Sequence, residues 1–219
     1  MHLFSQRLSP SMITPEQSLP GRAQRPFDIP ATHAVLGTPL ECPNGFPADL
    51  EKVYVGMGCF WGAERRLWRL PGVYTTAVGY QGGYTPNPTY SEVCTGRTGH
   101  AESVLVVYDP KQVPFFDILK VFWENHDPTQ GYRQGNDVGT QYRSALYWTT
   151  PAQEELARAT AQQYQAILTG NGLDPITTEL APAAGRDFYY AEAEHQQYLH
   201  KNPHGYDCHA NTGYALPEV

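Results

Sequence analysis

The segment Gly58-Cys59-Phe60-Trp61-Gly62 sets a cysteine among aromatic residues and glycines, directly after a short apolar run at 52–56. From Phe60 onward apolar residues recur at helical spacing, and Pro71-Gly72 ends the pattern. Free backbone N–H groups and the positive end of the helix dipole favour a thiolate at such an N-terminus. The sequence therefore predicts a lowered pKa and a nucleophilic sulfur at Cys59. The alternative is a buried structural cysteine.

A carboxyl group is the second candidate for chemistry. Glu102 lies two residues after His100, so both project from one face of a predicted strand, together with Val104 and Val106. Desolvation raises the pKa of a carboxyl group on a largely apolar face, which then serves as an acid near neutral pH. A solvated glutamate at a strand end fits the periodicity equally well.

Two long segments, 81–99 and 125–143, carry further polar side chains. Tyr90 lies in the first segment, and Asp137 and Tyr142 lie in the second. A tyrosine taken alone is more often a packing residue, and an aspartate in a glycine-rich loop is more often a turn former. Residue type alone does not decide the function of these three residues.

The elements that must position these side chains alternate along the chain. The patterns predict strands at 52–56, 73–79, 100–108, 144–149 and 175–180, and helices from 60, from 114, from 151 and over 189–200. Segments 81–99 and 125–143 are predicted as long loops, which are usually functional. The sequence thus predicts an α+β two-layer sandwich around a mixed or antiparallel sheet, with helices packed on it, long loops and a mobile C-terminal tail.

The 219 residues suffice for one domain with a sizeable core. Residues 1–48, rich in proline, serine and glutamine, are predicted to be an extension that wraps the surface. Residues 49–200 then form the catalytic domain, and 201–219 form a tail.

Composition excludes several classes of function. A formal net charge of -7 argues against nucleic acid as the main partner. No apolar run is long enough for a bilayer, and the first 20 residues lack the apolar core of a secretory signal. Four widely and irregularly spaced cysteines are typical of a reducing compartment, so we expect a cytoplasmic protein. Nothing in the chain demands more than a monomer.

Several motifs in order resemble the peptide methionine sulfoxide reductase A family, over residues 50 to 207. These are Gly58-Cys59-Phe60-Trp61-Gly62, the segment 79–99, His100-Ala101-Glu102, Asn125-His126-Asp127-Pro128, the segment 133–144 and Glu194-His195-Gln196-Gln197-Tyr198-Leu199. The resemblance implies an enzyme that reduces the S epimer of methionine sulfoxide, in proteins and as the free amino acid, and so repairs oxidative damage.

Carried over residue by residue, the resemblance makes Cys59 the nucleophile and Glu102 the acid. Tyr90 and Tyr142 would donate hydrogen bonds to the substrate oxygen. Asp137 would hold the substrate amide or a water molecule. Phe60 and Trp61 would form the pocket for the S-methyl group.

The resemblance also implies a recycling step. Cys59 becomes a sulfenic acid, Cys208 condenses with it to a disulfide, and thioredoxin or a similar dithiol protein reduces that disulfide. Many relatives carry a further recycling cysteine, but this chain has none after Cys208. Cys94 and Cys42 are interpreted as structural or incidental. Of the two, Cys94 is the alternative candidate for the thiol that attacks the sulfenic acid. No bound cofactor and no metal are expected.

Three other hypotheses stay open at the level of sequence. One is a cysteine hydrolase in which His100, His126 or His195 acts as base, although none belongs to a local signature of that role. Another is a binding protein for oxidised methionine without turnover. A third is a metal module in the tail, with spacings that match no paired zinc signature: His195, His200, His204, Cys208 and His209.

Overall fold

A computed structural model describes residues 10–208 and 210–218. Its strands are Glu51–Met57 (β1), Val73–Gln81 (β2), Ala101–Tyr108 (β3), Arg133–Gln134 (β4), Asp137–Val138 (β5), Ser144–Trp148 (β6), Glu179–Pro182 (β7) and Tyr189–Tyr190 (β8). Its α-helices are Phe60–Leu67 (α1), Tyr90–Cys94 (α2), Phe115–Glu124 (α3), Pro151–Gly170 (α4) and Tyr198–Lys201 (α5). None of the helices in this described part of the chain is long and apolar enough to cross a bilayer.

Six strands form one sheet in the order β7-β6-β1-β3-β2-β8. All pairs are antiparallel except β6 and β7, so the sheet is mixed, as predicted. β3 lies between β1 and β2, and all eight of its residues are buried. A central strand covered on both faces explains its nearly continuous apolar sequence. Glu102 of β3 pairs with Tyr80 of β2 in this sheet.

One face of the sheet packs against helices and the other against the N-terminal segment. The larger core cluster joins the strands to α1, α3 and α4. On the opposite face, Leu40 is fully buried with Ala77 and Leu105, and Ile29 and Phe46 cover them. The α+β layered architecture is confirmed. Ile29, Leu40 and Phe46 thus cover this face of the sheet, where a second helical layer would otherwise lie.

Four local predictions differ from the structure. The long loop predicted at 125–143 contains the paired strands β4 and β5 and the 3₁₀ turn Thr140–Tyr142. The helix predicted over 189–200 is wrong, because Tyr189–Tyr190 pairs with β2, and only Tyr198–Lys201 is helical. The strand predicted at 175–180 begins at Glu179, where parallel pairing with β6 starts. The long loop 81–99 contains α2, which follows a capping box between Thr89 and Glu92.

Candidate active site

Cys59 is the N-cap residue of α1, at the turn between β1 and the helix. Gly58 precedes it with a φ of +84°, a left-handed conformation that favours glycine. The Cys59 side chain is only 7% exposed. The sequence thus places the sulfur correctly at a helix start, but the sulfur lies below the surface.

Glu102 reaches the same helix start from the centre of the sheet. It is 1% exposed, and its Oε2 accepts a hydrogen bond from the Phe60 N–H at 2.9 Å. Burial raises the pKa of Glu102 to about 8, although the Phe60 N–H opposes the shift. At neutral pH Glu102 is therefore mostly a protonated acid, which is one of the two alternatives that the sequence left open.

The thiol of Cys59 does not follow the prediction. Burial, followed by the neighbouring Glu102, raises the pKa of Cys59 well above its usual value, and the Trp61 backbone N–H only partly opposes this. The predicted lowered pKa is wrong for the reduced protein, because desolvation outweighs the helix terminus. Cys59 and Glu102 together hold two protons at neutral pH.

Four aromatic side chains form an apolar surface next to Cys59, here called the aromatic wall: Phe60, Trp61, Tyr90 and Tyr198. The Phe60 ring stacks on Tyr90, with centroids 6.4 Å apart, and the Trp61 ring stacks on Tyr198 at 3.9 Å. His195 lies 4.3 Å from the Tyr90 ring and accepts a 3.2 Å hydrogen bond from the Trp61 indole N–H. The contacts among these rings fix their orientations, so the apolar surface next to Cys59 is preformed.

The two predicted tyrosine donors share the electrostatic environment of Glu102. Tyr90 begins α2, and Tyr142 ends the 3₁₀ turn Thr140–Tyr142. Burial, followed by the Glu102 carboxyl group, raises the pKa of both tyrosines. Both hydroxyls therefore stay protonated at neutral pH and can donate hydrogen bonds.

One carboxylate oxygen of Asp137, in β5, is available to accept a further hydrogen bond. Its Oδ1 accepts a hydrogen bond from the Tyr206 hydroxyl at 3.1 Å. Its Oδ2 is buried and has no hydrogen-bond partner among the described residues. A buried carboxylate oxygen without a donor is costly, so Asp137 is suited to accept an N–H or a water molecule from outside.

The tail brings Cys208 to the same end of α1. The Cys208 thiol donates to the Gln134 carbonyl oxygen at 3.5 Å. Asp207 forms ion pairs with Arg65 and Arg66 of α1, and a Cβ at Gly62 would clash with the Asp207 side chain. A charged, close contact therefore seats this part of the tail against the helix that begins at Cys59.

One of the other two cysteines, Cys94, also contacts this arrangement, because its thiol and the Tyr90 side chain form a hydrogen bond. All four thiols are free. Cys94 ends α2 one turn after Tyr90 and is exposed, and Cys42 lies in the N-terminal segment.

Two of the three histidines considered as bases are committed elsewhere. His100 accepts from the Gly83 N–H and faces the Thr85 carbonyl, which holds the loop after β2. His126 has one ring nitrogen at the Phe122 carbonyl and the other at Ser144. His195 accepts from Trp61, so its contact is with the aromatic wall.

Within residues 10–208 and 210–218, no group of three or more histidine, cysteine, aspartate or glutamate side chains is placed to hold a metal ion. His209, one member of the suggested tail module, lies outside the described residues.

Sequence reasoning missed two residues that hold Tyr90. The Glu192 carboxylate accepts the Tyr90 N–H at 2.7 Å and the Tyr80 hydroxyl at 2.8 Å. Glu92 caps the helix that Tyr90 begins. The Thr89-to-Glu92 spacing was a readable signal for the cap, whereas Glu192 had none because its partners are distant in sequence.

The chain is similar to known proteins along most of its length. The sequence model described as "Peptide methionine sulfoxide reductase" matches residues 51–218. The peptide methionine sulfoxide reductase MsrA of Rhodospirillum centenum is 60% identical over 207 residues, which cover 94% of this chain and 92% of the relative. The MsrA of Pseudomonas aeruginosa is 59% identical over 204 residues, 93% of either chain.

A solved structure shares the fold over nearly the whole chain. Methionine sulfoxide reductase A of Corynebacterium diphtheriae superposes with a TM-score of 0.84 at 50% sequence identity. The superposition covers 95% of this chain and 100% of that one.

Proposed function

Because the chain belongs to the peptide methionine sulfoxide reductase family, and is an oxidoreductase of that kind, we propose that it reduces methionine sulfoxide through Cys59 as nucleophile and Glu102 as acid. The observation that carries this assignment is the buried, protonated Glu102, which accepts a hydrogen bond from the first N–H of the helix that starts at Cys59. The two groups supply both a sulfur nucleophile and a proton donor.

In the first step Cys59 attacks the substrate sulfur, and Glu102 protonates the sulfoxide oxygen as the S=O bond weakens. The Cys59 S–H proton passes to the Glu102 carboxylate, so the acid is regenerated. The oxygen moves to the Cys59 sulfur, which becomes a sulfenic acid and loses two electrons. The substrate sulfur gains these electrons and leaves as methionine.

The remaining residues position the substrate in this proposal. Tyr90 and Tyr142 donate hydrogen bonds to the oxygen as negative charge develops on it. The wall of Phe60 and Trp61 receives the S-methyl group, and the free Oδ2 of Asp137 accepts the substrate amide N–H or a bridging water. Preference for the S epimer, and activity on both protein-bound and free methionine sulfoxide, follow the family resemblance.

Resolution of the sulfenic acid is assigned to Cys208. Its thiol attacks the Cys59 sulfenic sulfur, water leaves, and a Cys59–Cys208 disulfide forms. The ion pairs of Asp207 with Arg65 and Arg66 support this choice, because they hold the residue next to Cys208 on α1.

A dithiol protein such as thioredoxin then reduces the disulfide by exchange and is itself oxidised. The cycle needs no bound organic cofactor. We place the enzyme in the cytoplasm, where a reducing environment keeps four thiols free. It acts as a monomer in this proposal, since every group of the cycle comes from one chain.

A single turnover of the reduced protein with the S epimer, without external reductant, tests the cycle. Wild type is expected to form about one methionine per chain and to lose two thiols, because sulfenic acid and disulfide form in sequence. Cys208→Ser should form the methionine but stop at a sulfenic acid that a dimedone probe traps. Cys42→Ser, at the free thiol of the N-terminal segment, is the matched control and should behave as wild type.

Cys59→Ser should form no methionine, and methionine production by this variant would remove Cys59 from the mechanism. A disulfide formed by Cys208→Ser would instead assign resolution to Cys94 or Cys42.

A further inference from the structure

The N-terminal segment contacts the loop that carries Tyr90 more closely than surface covering requires. The Thr85 hydroxyl donates to the Leu19 carbonyl at 2.8 Å, and the Leu19 N–H donates to the Arg97 carbonyl at 2.9 Å. The Arg22 N–H donates to the Pro86 carbonyl at 3.1 Å. Residues 19–22, here called the N-terminal strap, are therefore bonded to both ends of the segment that contains α2.

Arg22 makes the most specific of these contacts. Its guanidinium donates to both carboxylate oxygens of Glu92, at 2.5 and 2.9 Å, and to the Asn87 carbonyl at 2.7 Å. In return the Asn87 side chain donates to the Arg22 carbonyl at 2.9 Å. A bidentate guanidinium–carboxylate pair fixes orientation as well as distance.

The two groups that Arg22 holds lie on either side of Tyr90. Asn87 has a φ of +49°, an unfavourable left-handed conformation that its surroundings must maintain. Glu92 accepts from the Thr89 N–H at 2.8 Å and so closes the cap of the helix in which Tyr90 is the first residue. Arg22 thus connects the turn before Tyr90 to the helical turn after it.

We infer that Arg22 is a positioning residue for the reduction step, which through Asn87 and Glu92 sets the place of the Tyr90 hydroxyl at the substrate oxygen. The inference rests on the proposed role of Tyr90. It gives the N-terminal extension a part in catalysis, where the sequence indicated only surface packing. Arg22 also lowers the pKa of Glu92 to about 2, so this contact stays fully ionised at neutral pH.

The contribution of the pair to stability is expected to be small. The Arg22 and Glu92 side chains keep 32% and 26% of their surface exposed, and ion pairs in such positions are typically worth about 0.2–1 kcal/mol. A displaced catalytic donor, by contrast, costs much more in rate, since misplacement by about 1 Å can lower it 10²-fold. Variants of Arg22 should therefore lower the rate of the reduction step while changing the free energy of unfolding little.

The chain offers a matched control. Arg25 also makes a bidentate ion pair, to Glu41 at 3.1 and 3.2 Å, and both residues belong to the N-terminal segment. Among the described residues the Arg25 guanidinium donates to Phe27 and Glu41, and it has no hydrogen bond to the loop of Tyr90. Arg25→Ala therefore removes a similar charge and a similar ion pair without loosening Tyr90.

The test is a double-mutant cycle that measures the single-turnover rate of methionine formation. We expect Arg22→Ala to lower this rate about 5-fold with KM little changed, because Tyr90 acts on the developing charge in the transition state. Arg22→Lys should recover part of the loss, and Arg25→Ala should leave the rate as in wild type. In a Tyr90→Phe background, Arg22→Ala should change the rate less than twofold, since the hydroxyl it positions is gone.

Glu92→Gln provides a second route to the same contact and should reproduce the loss seen with Arg22→Ala. The inference is overturned if Arg22→Ala keeps the wild-type rate, or if it loses as much in the Tyr90→Phe background as in wild type. A slowed Tyr90→Phe with an unaffected Arg22→Ala would leave the proposed function standing without the inference. An unaffected Tyr90→Phe would overturn the role of Tyr90 and the inference that rests on it, while the assignment of Cys59 and Glu102 would stand.

Discussion

Two buried carboxyl groups lie at α1 but differ in their surroundings. Glu102 contacts the start of the helix from β3, and Glu64 is a residue of the helix itself. Glu102 lies at the start of the helix and, among the described residues, accepts one hydrogen bond, from the Phe60 N–H. Glu64 lies one turn further along, is 0% exposed, and accepts three hydrogen bonds, one from Thr76 and two from Gln197. Burial raises the pKa of both, to about 8 for Glu102 and to about 7 for Glu64.

The network of Glu64 is closed. His33 from the N-terminal segment lies 4.0 Å from Glu64, but burial lowers the pKa of His33 to about 4. It is therefore neutral at neutral pH, and it hydrogen-bonds Thr76 at 2.9 Å instead of forming an ion pair. Gln197 has a left-handed φ of +48°, and both its backbone N–H and its side-chain amide donate hydrogen bonds to Glu64. These contacts maintain an unfavourable conformation next to the aromatic wall.

Burial and a raised pKa do not by themselves identify a catalytic acid. Glu64 uses its oxygens to join three parts of the chain. Glu102 keeps most of its hydrogen-bonding capacity for a group outside the protein. Unused capacity in a buried carboxyl group is the feature that points to chemistry.

The largest expected effect separates the two carboxyls directly. Glu102→Gln removes the proton donor but keeps the size and polarity of the side chain, so the single-turnover rate should fall by about 10² to 10⁴. Cys59 should still react with iodoacetamide in this variant. A rate equal to that of wild type would remove Glu102 from the mechanism and erase the contrast with Glu64.

The next effect is a pH dependence of the same step. Because the pKa of Glu102 is raised to about 8, its acid form is lost above that pH, and the Glu102-dependent rate should fall about tenfold per pH unit. Rapid-quench measurements of methionine formation between pH 7 and 10 check this limb. In Glu102→Gln the limb should be absent, and a limb that survives the substitution must come from another group.

Glu64→Gln should act on stability and not on chemistry. An amide nitrogen in place of a carboxylate oxygen meets donors from Gln197 or Thr76, and leaving buried donors unpaired costs about 1–3 kcal/mol in free energy of unfolding. Urea denaturation measures this loss, while the single-turnover rate should stay within about threefold of wild type.

The exposed Glu154, which pairs with Arg158 one turn away, provides the control. Glu154→Gln should shift the free energy of unfolding by no more than about 0.5 kcal/mol. A Glu64→Gln protein with wild-type stability would show that the network holds nothing in place.

The smallest effect, taken per pH unit, is a pH dependence of the free energy of unfolding to which both carboxyl groups contribute. The pKa of Glu64 is raised from 4.5 to about 7 in the folded protein, so its contribution to stability is complete below pH 4.5 and is lost as pH rises to 7. The loss should be at most about 1 kcal/mol per pH unit. Glu102 has the same sign, over pH 4.5 to 8. The free energy of unfolding is measured against pH for wild type, Glu64→Gln and Glu102→Gln across this range. Each substitution should make the dependence on pH flatter than in wild type, and a steeper dependence would contradict the raised pKa values.

Much of the fold and of the site was predictable because it depends on local pattern. The helix after Cys59, the central strand with Glu102 and the helix from Pro151 each follow from periodicity and capping over a few residues. Segment 189–200 was mispredicted because Tyr189–Tyr190 becomes a strand only through pairing with β2, more than 100 residues away in sequence. Local pattern carries no information about such a partner.

By itself the sequence determined which side chains are available for chemistry, that Cys59 stands at a helix start, and that Glu102 lies in a strand, whereas the burial of Glu102 was decided by the folded chain. Only the tertiary structure decided the protonation of Cys59, because the burial and the Glu102 carboxyl that raise its pKa come from elements that meet only in the folded chain. The tertiary structure also decided that Arg22, 68 positions before Tyr90 by residue number, lies against the loop that carries it. Desolvation and charge depend on distance in space, and sequence spacing sets that distance only within a single helix or strand.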